Sequence, residues 1–167
     1  CSSDLLYSEL VIRHENISSS APLENPGDLC QSILMSIALK YKRMNDTEIL
    51  VDPCDALIGF KEFSKILEEL LDNAFKFSFP GKKVCVRCGP FEKRFRLIIE
   101  DNGQGMTTEE LQKIGAYIQF NRTLYEQQGS GMGLSIARMI VEMYGGELLI
   151  DSELHKGTTV TVILNAP

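Results

Sequence analysis

With 167 residues the chain is long enough for one domain with a proper core and too short for two comfortable ones. Its apolar share of 44% and charged share of 24% are those of a soluble globular protein, and no apolar run is long enough to cross a bilayer. The 17 basic and 23 acidic residues leave a net charge of −6 with no block of one sign, which argues against nucleic acid or an anionic membrane as a partner. The chain opens at Cys1 without a Met and without a signal-peptide pattern, so it reads as part of something longer.

Residues 1–27 form a lead-in, in which Leu5-Leu6-Tyr7 and Leu10-Val11-Ile12 suggest a short helix broken by Ser18-Ser19-Ser20-Ala21-Pro22. Asn25-Pro26-Gly27-Asp28 is a turn, with Asp28 placed to cap a helix over about 29–44 whose apolar stripe is Leu29, Ile33, Ile37 and Tyr41. Glu48–Asp52 is a strand closed by Pro53. A second helix over about 60–77 carries a broad apolar stripe of Phe63, Ile66, Leu67, Leu70, Leu71 and Ala74, and Pro80-Gly81 ends it. Lys83–Cys88 and Arg94–Glu100 make a hairpin joined through Gly89-Pro90. Asp101-Asn102-Gly103-Gln104-Gly105 precedes a short helix near Thr108–Ile114, capped by Thr107 or Thr108. Residues 115–131 lack periodicity and read as a mobile loop. A helix over about 132–144 stops at Gly145-Gly146, and strands Glu147–Ser152 and Thr158–Asn165 close the domain across His155-Lys156-Gly157. Helices and strands mix without regular βαβ alternation, which predicts a two-layer sandwich of sheet and helices.

The five cysteines suggest neither a metal site nor a redox motif. Cys85 and Cys88 lie three apart on a strand and so face opposite ways, and no second Cys or His pair exists. An odd count fits a reducing cytoplasm.

Three segments could carry chemistry. Glu69, Asn73 and Lys76 share one flank of the second helix. Two oxygen donors and an ammonium in line suit a hard cation beside phosphate, although a solvated polar face is the plainer account of the stripe alone. Asp101 follows an apolar strand, and Gly103 and Gly105 let the backbone approach a ligand closely; an ordinary turn would look much the same. In Gly129-Ser130-Gly131-Met132-Gly133-Leu134 the glycines would cost about 1 kcal/mol each in a helix, a cost better explained by N–H groups converging on phosphate at a helix N-terminus. That segment lacks a P-loop ending and follows no strand, as a Rossmann turn should.

In order and together, these segments resemble the ATPase domain shared by histidine kinases, gyrase, Hsp90 and MutL, and histidine kinases most of all. The stretch 67–78 looks like the N box, Asp101–Gly105 like the G1 box and Gly129–Leu134 like the G2 box; Gly145-Gly146-Glu147 and Gly157-Thr158-Thr159 match the closing strands. The resemblance covers about residues 28–165. It implies the Bergerat-type α+β two-layer sandwich, a mixed and mostly antiparallel sheet against about three helices. It divides the chain into a linker or end of a dimerisation helix, 1–27, and a catalytic domain, 28–167.

The resemblance also implies roles. Asn73 would ligate Mg²⁺, with Glu69 as a metal-shell or base residue. Lys76 would contact phosphate and Phe77 would lie against the base. Asp101 would read the adenine amine, assisted through water by Thr158, in a pocket shaped by Gly103 and Gly105. Gly129, Ser130, Gly131, Met132, Gly133 and Leu134 would wrap the phosphates, beneath a lid formed by 115–131. Ile118-Gln119-Phe120-Asn121-Arg122 is similar to the F box, from which Arg122 would help neutralise the γ-phosphate. The F box lacks its proline, and Glu69 stands where histidine kinases often carry Asn.

A histidine kinase needs a phosphoacceptor, and the chain holds two histidines. His14-Glu15 matches only the start of the acceptor motif, and His155 sits in a turn. The acceptor is therefore expected on a dimerisation helix upstream of Cys1. The implied function is phosphoryl transfer from Mg-ATP to that histidine, then to a response-regulator receiver domain. The domain itself would be a monomer in the cytoplasm, alone or as part of a membrane-bound sensor. A serine-directed anti-sigma-type kinase, a slow hydrolase using Glu69 and a nucleotide sensor are the alternatives.

Overall fold

The computed structural model describes residues 22–120 and 132–167, with 115–120 and Met132 described by their backbone alone. Among the described residues four α-helices and five strands follow in the order α1 (Gly27–Lys40), β1 (Thr47–Val51), α2 (Phe60–Phe77), β2 (Val84–Phe91), β3 (Arg94–Asp101), α3 (Thr108–Phe120), α4 (Met132–Met143), β4 (Glu147–Glu153) and β5 (Gly157–Asn165). The sheet order is β1-β2-β3-β5-β4, and only the β1–β2 pair is parallel. This is the two-layer sandwich that the pattern of elements predicts, with the mixed, mostly antiparallel sheet that the family resemblance implies. The helices α1, α2 and α4 lie against the sheet.

Alternation decides which face of the sheet they cover. On β3, Phe95, Leu97, Ile99 and Asp101 are buried while their neighbours are only partly so. The helix α2 answers with Phe63, Ile66, Leu67, Leu70, Leu71, Ala74 and Phe75, all buried. Phe63 meets Phe95 edge-on with ring centroids 5.7 Å apart. Ala137, Ile140 and Val141 of α4 close one side of this core, and Cys30, Leu34 and Ala38 of α1 close the other.

Several boundaries differ from expectation for identifiable reasons. Asp28 does not cap α1; it lies in the first turn, because the helix already begins at Gly27, whose packing against Val51 leaves no room for a side chain. The fully buried stripe of α1 is Cys30, Leu34 and Ala38, with Leu29, Ile33, Ile37 and Tyr41 packed at its margin. The helix ends at Lys40 rather than near Met44. Lys42 takes a left-handed turn (φ 57°), and its N–H and that of Arg43 return to the carbonyls of Leu39 and Ala38. Gly89-Pro90 is not the hairpin turn but part of β2, and the chain reverses at Glu92 (φ 55°) and Lys93. Cys88 bonds towards β1, so Pro90, two residues on, faces the same way. β1 has ended there, and the missing N–H breaks no ladder. The helix α3 runs on to Phe120, so residues 115–120 are helical and not loop; a single glycine such as Gly115 weakens a helix by about 1 kcal/mol without ending it. Its start is the expected cap: Thr107 Oγ1 accepts the Glu110 N–H, and the Glu110 carboxylate accepts the Thr107 N–H.

Ahead of the boundary expected at residue 28, Leu23 already exchanges two backbone hydrogen bonds with Ala56. No helix among the described residues is long and apolar enough to cross a membrane.

Candidate nucleotide-binding site

Packing of the apolar stripe of α2 onto the sheet leaves Glu69, Asn73 and Lys76 along one flank. The Glu69 carboxylate is ion-paired with Lys65 one turn back, at 2.5 Å. Asn73 is half-buried, and Lys76 is exposed with Nζ 5.2 Å from the centroid of the Phe77 ring.

The far end of this flank meets the loop that follows β3. The Gln104 N–H donates to the Phe77 carbonyl at 3.1 Å. A Cβ on Gly103 would run into that same carbonyl and lie 2.6 Å from Asp101 Oδ1, so only glycine fits. Behind the loop stands the β4–β5 turn. Gly105 (φ 62°) abuts the Glu153 carbonyl and Gly157 (φ 121°) abuts the Asp101 carbonyl. His155 is exposed in this turn, and its backbone N–H donates to Gln104 O at 2.7 Å. Residues 101–105 are thus held between the end of α2 and the last hairpin.

Asp101 pairs with Thr158 across β3 and β5, and Thr158 with Ser152 across β5 and β4. Directly opposed residues share a face, so the three polar side chains form a row at one end of the sheet. Asp101 is only 8% exposed. Burial pushes its carboxyl up to about 6, while hydrogen bonds from the Gly103 and Thr158 backbone work in the opposite direction. The Gly103 N–H donates to Asp101 Oδ1 at 2.9 Å. Thr158 is half-buried, and its hydroxyl lies 2.9 Å from Ser152 Oγ.

The glycine-rich segment reaches the same place from the other side. Gly133, in the first turn of α4, packs so closely on Glu69 that a Cβ would strike its carboxylate. The N-terminus of α4, where backbone N–H groups and the helix dipole favour an anion, therefore opens beside the Glu69 end of the polar flank. Leu134 anchors that turn against the core. Gly129, Ser130, Gly131 and Arg122 lie outside the described residues, as do the side chain of Met132, the greater part of the expected lid, His14 and the lead-in helix. Cys85 and Cys88 face opposite ways, Cys85 paired with Glu100 and Cys88 with Leu97. Cys88 turns inward, where hydrogen bonding to Cys88 and burial hold the Cys30 thiol protonated.

Segments far apart in sequence thus meet around one flank of α2. A sequence profile of the histidine kinase-, DNA gyrase B-, and HSP90-like ATPases matches residues 60–167, which include all of them. The chain belongs to this family. Within it the histidine-kinase branch is indicated. Sensor protein SrrB of Staphylococcus aureus is 36% identical over 81% of this chain and 25% of its own length, so the chain spans about a quarter of that relative. The mycobacterial sensor histidine kinase MprB superposes with a TM-score of 0.72 at 25% identity, over 89% of this chain and 98% of that structure. The catalytic domain of histidine kinase ThkA gives 0.69 at 19% identity, over 88% and 97%, and shares the fold. The protein is a histidine-kinase-type member of an ATP-using superfamily.

Two residues that the motifs do not mark help to shape the site. Arg43, 7% exposed, donates to the carbonyls of Phe75, Ser78, Phe79 and Lys82 at 2.8 to 3.1 Å and pairs with Asp46 at 2.7 Å. It thereby satisfies the orphan carbonyls where α2 ends, next to Phe77. Ser152 links Thr158 to Met106 and Gly157. A lone Arg after a helix and a lone Ser in a strand carry no sequence signal that separates them from surface residues.

Proposed function

We propose that the domain binds Mg-ATP along the flank of α2 and transfers its γ-phosphoryl group to a histidine on a separate dimerisation domain. The single observation that carries this reading is the convergence of Glu69, Gly133, Phe77 and Gly103 on one side of α2. The residues present suit the ligand: oxygen donors for a hard cation on Glu69 and Asn73, glycines where side chains would collide, and a helix N-terminus beside them. Magnesium, when bound, supplies charge neutralisation of the phosphate oxygens.

In this reading Asn73 and Glu69 hold the metal shell and Lys76 contacts phosphate. Phe77 lies against the purine, while Asp101 accepts a hydrogen bond from its exocyclic amine with Thr158 assisting through water. Gly129, Ser130, Gly131, Met132, Gly133 and Leu134 enclose the phosphates, and Arg122 offsets charge on the γ-phosphate. The acceptor imidazole nitrogen then attacks the γ-phosphorus and ADP leaves. Residues 28–167 form the catalytic unit and 1–27 the connection to the dimerisation domain. A response-regulator receiver domain takes the phosphoryl group next, in the cytoplasm.

The test is phosphotransfer by the full-length protein carrying this domain. Incubation with γ-labelled ATP should give protein-bound phosphate that is labile in acid and stable in base, and Asp101→Asn should abolish it. Acid-stable label on serine would instead favour the serine-kinase alternative, and release of inorganic phosphate alone would favour the hydrolase.

A further inference from the structure

Counting hydrogens at Ser152 fixes something about the base pocket that no motif records. Ser152 Oγ makes three contacts of 2.9 Å, to Met106 N, Gly157 O and Thr158 Oγ1. The backbone N–H of Met106 can only donate, so it occupies one lone pair of Oγ. The carbonyl of Gly157 can only accept, so it takes the single Ser152 hydrogen. One lone pair remains on Ser152 for Thr158, which must then supply its own hydrogen. Any other arrangement would leave two oxygens 2.9 Å apart with no proton between them. The Thr158 hydroxyl is therefore spent as a donor and offers only lone pairs elsewhere.

Thr158 stands directly opposite Asp101, whose carboxylate also only accepts when ionised. We propose that Ser152 is a positioning residue for base selection: by taking the Thr158 proton it makes the Asp101–Thr158 pair acceptor-only, admitting 6-aminopurine nucleotides and rejecting 6-oxopurine ones. This rests on the assignment of Asp101 and Thr158 to the base pocket. A 6-amino group brings hydrogens to such a pair. A 6-oxo group brings lone pairs against lone pairs, and a freely rotating threonine, directly or through water, could relieve that conflict. Ser152 forbids the rotation.

The experiment compares the dissociation constants of ATP and inosine triphosphate, which differ at position 6 of the purine, for wild type, Ser152→Ala and Ser152→Thr. Wild type should prefer ATP. Ser152→Ala frees the Thr158 proton and should shrink the preference at least about fivefold, mainly through tighter inosine triphosphate binding. Ser152→Thr keeps a hydroxyl on a strand that tolerates β-branching and should restore the wild-type ratio. An unchanged ratio in Ser152→Ala, with the circular dichroism and melting temperature of wild type, overturns the proposal while leaving the pocket assignment standing. A ratio lost equally in Ser152→Thr overturns it too, since the hydroxyl would then be irrelevant. Wild type that binds both nucleotides equally, or neither, overturns the pocket assignment and this inference together.

Discussion

At residue scale, the strongest chemistry sits on Asp101, whose burial lifts its carboxyl from the ordinary 3.8 to about 6. If the ionised form accepts the adenine amine, ATP affinity should fall as the pH is lowered through 6. Calorimetric titrations between pH 7.5 and 5.5 should show that decline in wild type, whereas Asp101→Asn should bind at least about tenfold more weakly at pH 7.5 and follow a flatter profile. The same shift has a stability signature of known sign. A carboxyl whose folded value is raised stabilises the fold below about 4 and loses that contribution as the pH rises through 6. The melting temperature of Asp101→Asn relative to wild type should therefore be more favourable at pH 7 than at pH 4; the reverse order would remove burial as the cause. Asn73 is tested separately. Asn73→Ala should leave ATP binding insensitive to added Mg²⁺, and an unchanged Mg²⁺ titration would reject its ligand role.

At the scale of elements, the end of α2 matters most, because Phe77 and the Gly103 loop are fixed to it. Arg43 supplies the hydrogen bonds that a helix end otherwise lacks. Arg43→Ala should cost about 3 kcal/mol, the price of stripping a buried, multiply bonded charge from its partners, and should weaken ATP binding as well. A denaturant melt showing less than about 1 kcal/mol of loss would mean that the end of α2 holds itself. The limits of α2 were legible in sequence because a long apolar stripe is closed by Pro80-Gly81. Elsewhere the local signals misled. Lys42 adopts a left-handed conformation that glycine would have announced, so the end of α1 was invisible. Pro90 looked like a turn because nothing in its own segment says that β1 stops two residues earlier. That is tertiary information.

At the scale of the whole molecule, the site is assembled by topology. β3 and β5 are neighbours although α3, α4 and β4 lie between them in sequence, and this pairing brings Thr158 opposite Asp101. Glu69 and Gly133 meet because α2 and α4 pack side by side. The motif residues could be singled out from sequence only by their joint order and spacing, since the polar stripe alone reads as a solvated face and the Asp101 loop as an ordinary turn. The residues that fix them, Arg43 and Ser152, could not, because their roles exist only once distant segments are adjacent. The account stands on the claim that the α2 flank, the 101–105 loop and the start of α4 line one Mg-ATP site. An amide NMR titration of the domain with Mg-ATP tests it most directly. Saturable one-to-one shifts should appear together at Asn73, Gly103 and Gly133 and leave Arg87 and Leu149, on the uncovered face of the sheet, unmoved. Binding that shifts the uncovered face instead, or no binding at millimolar nucleotide, would contradict it.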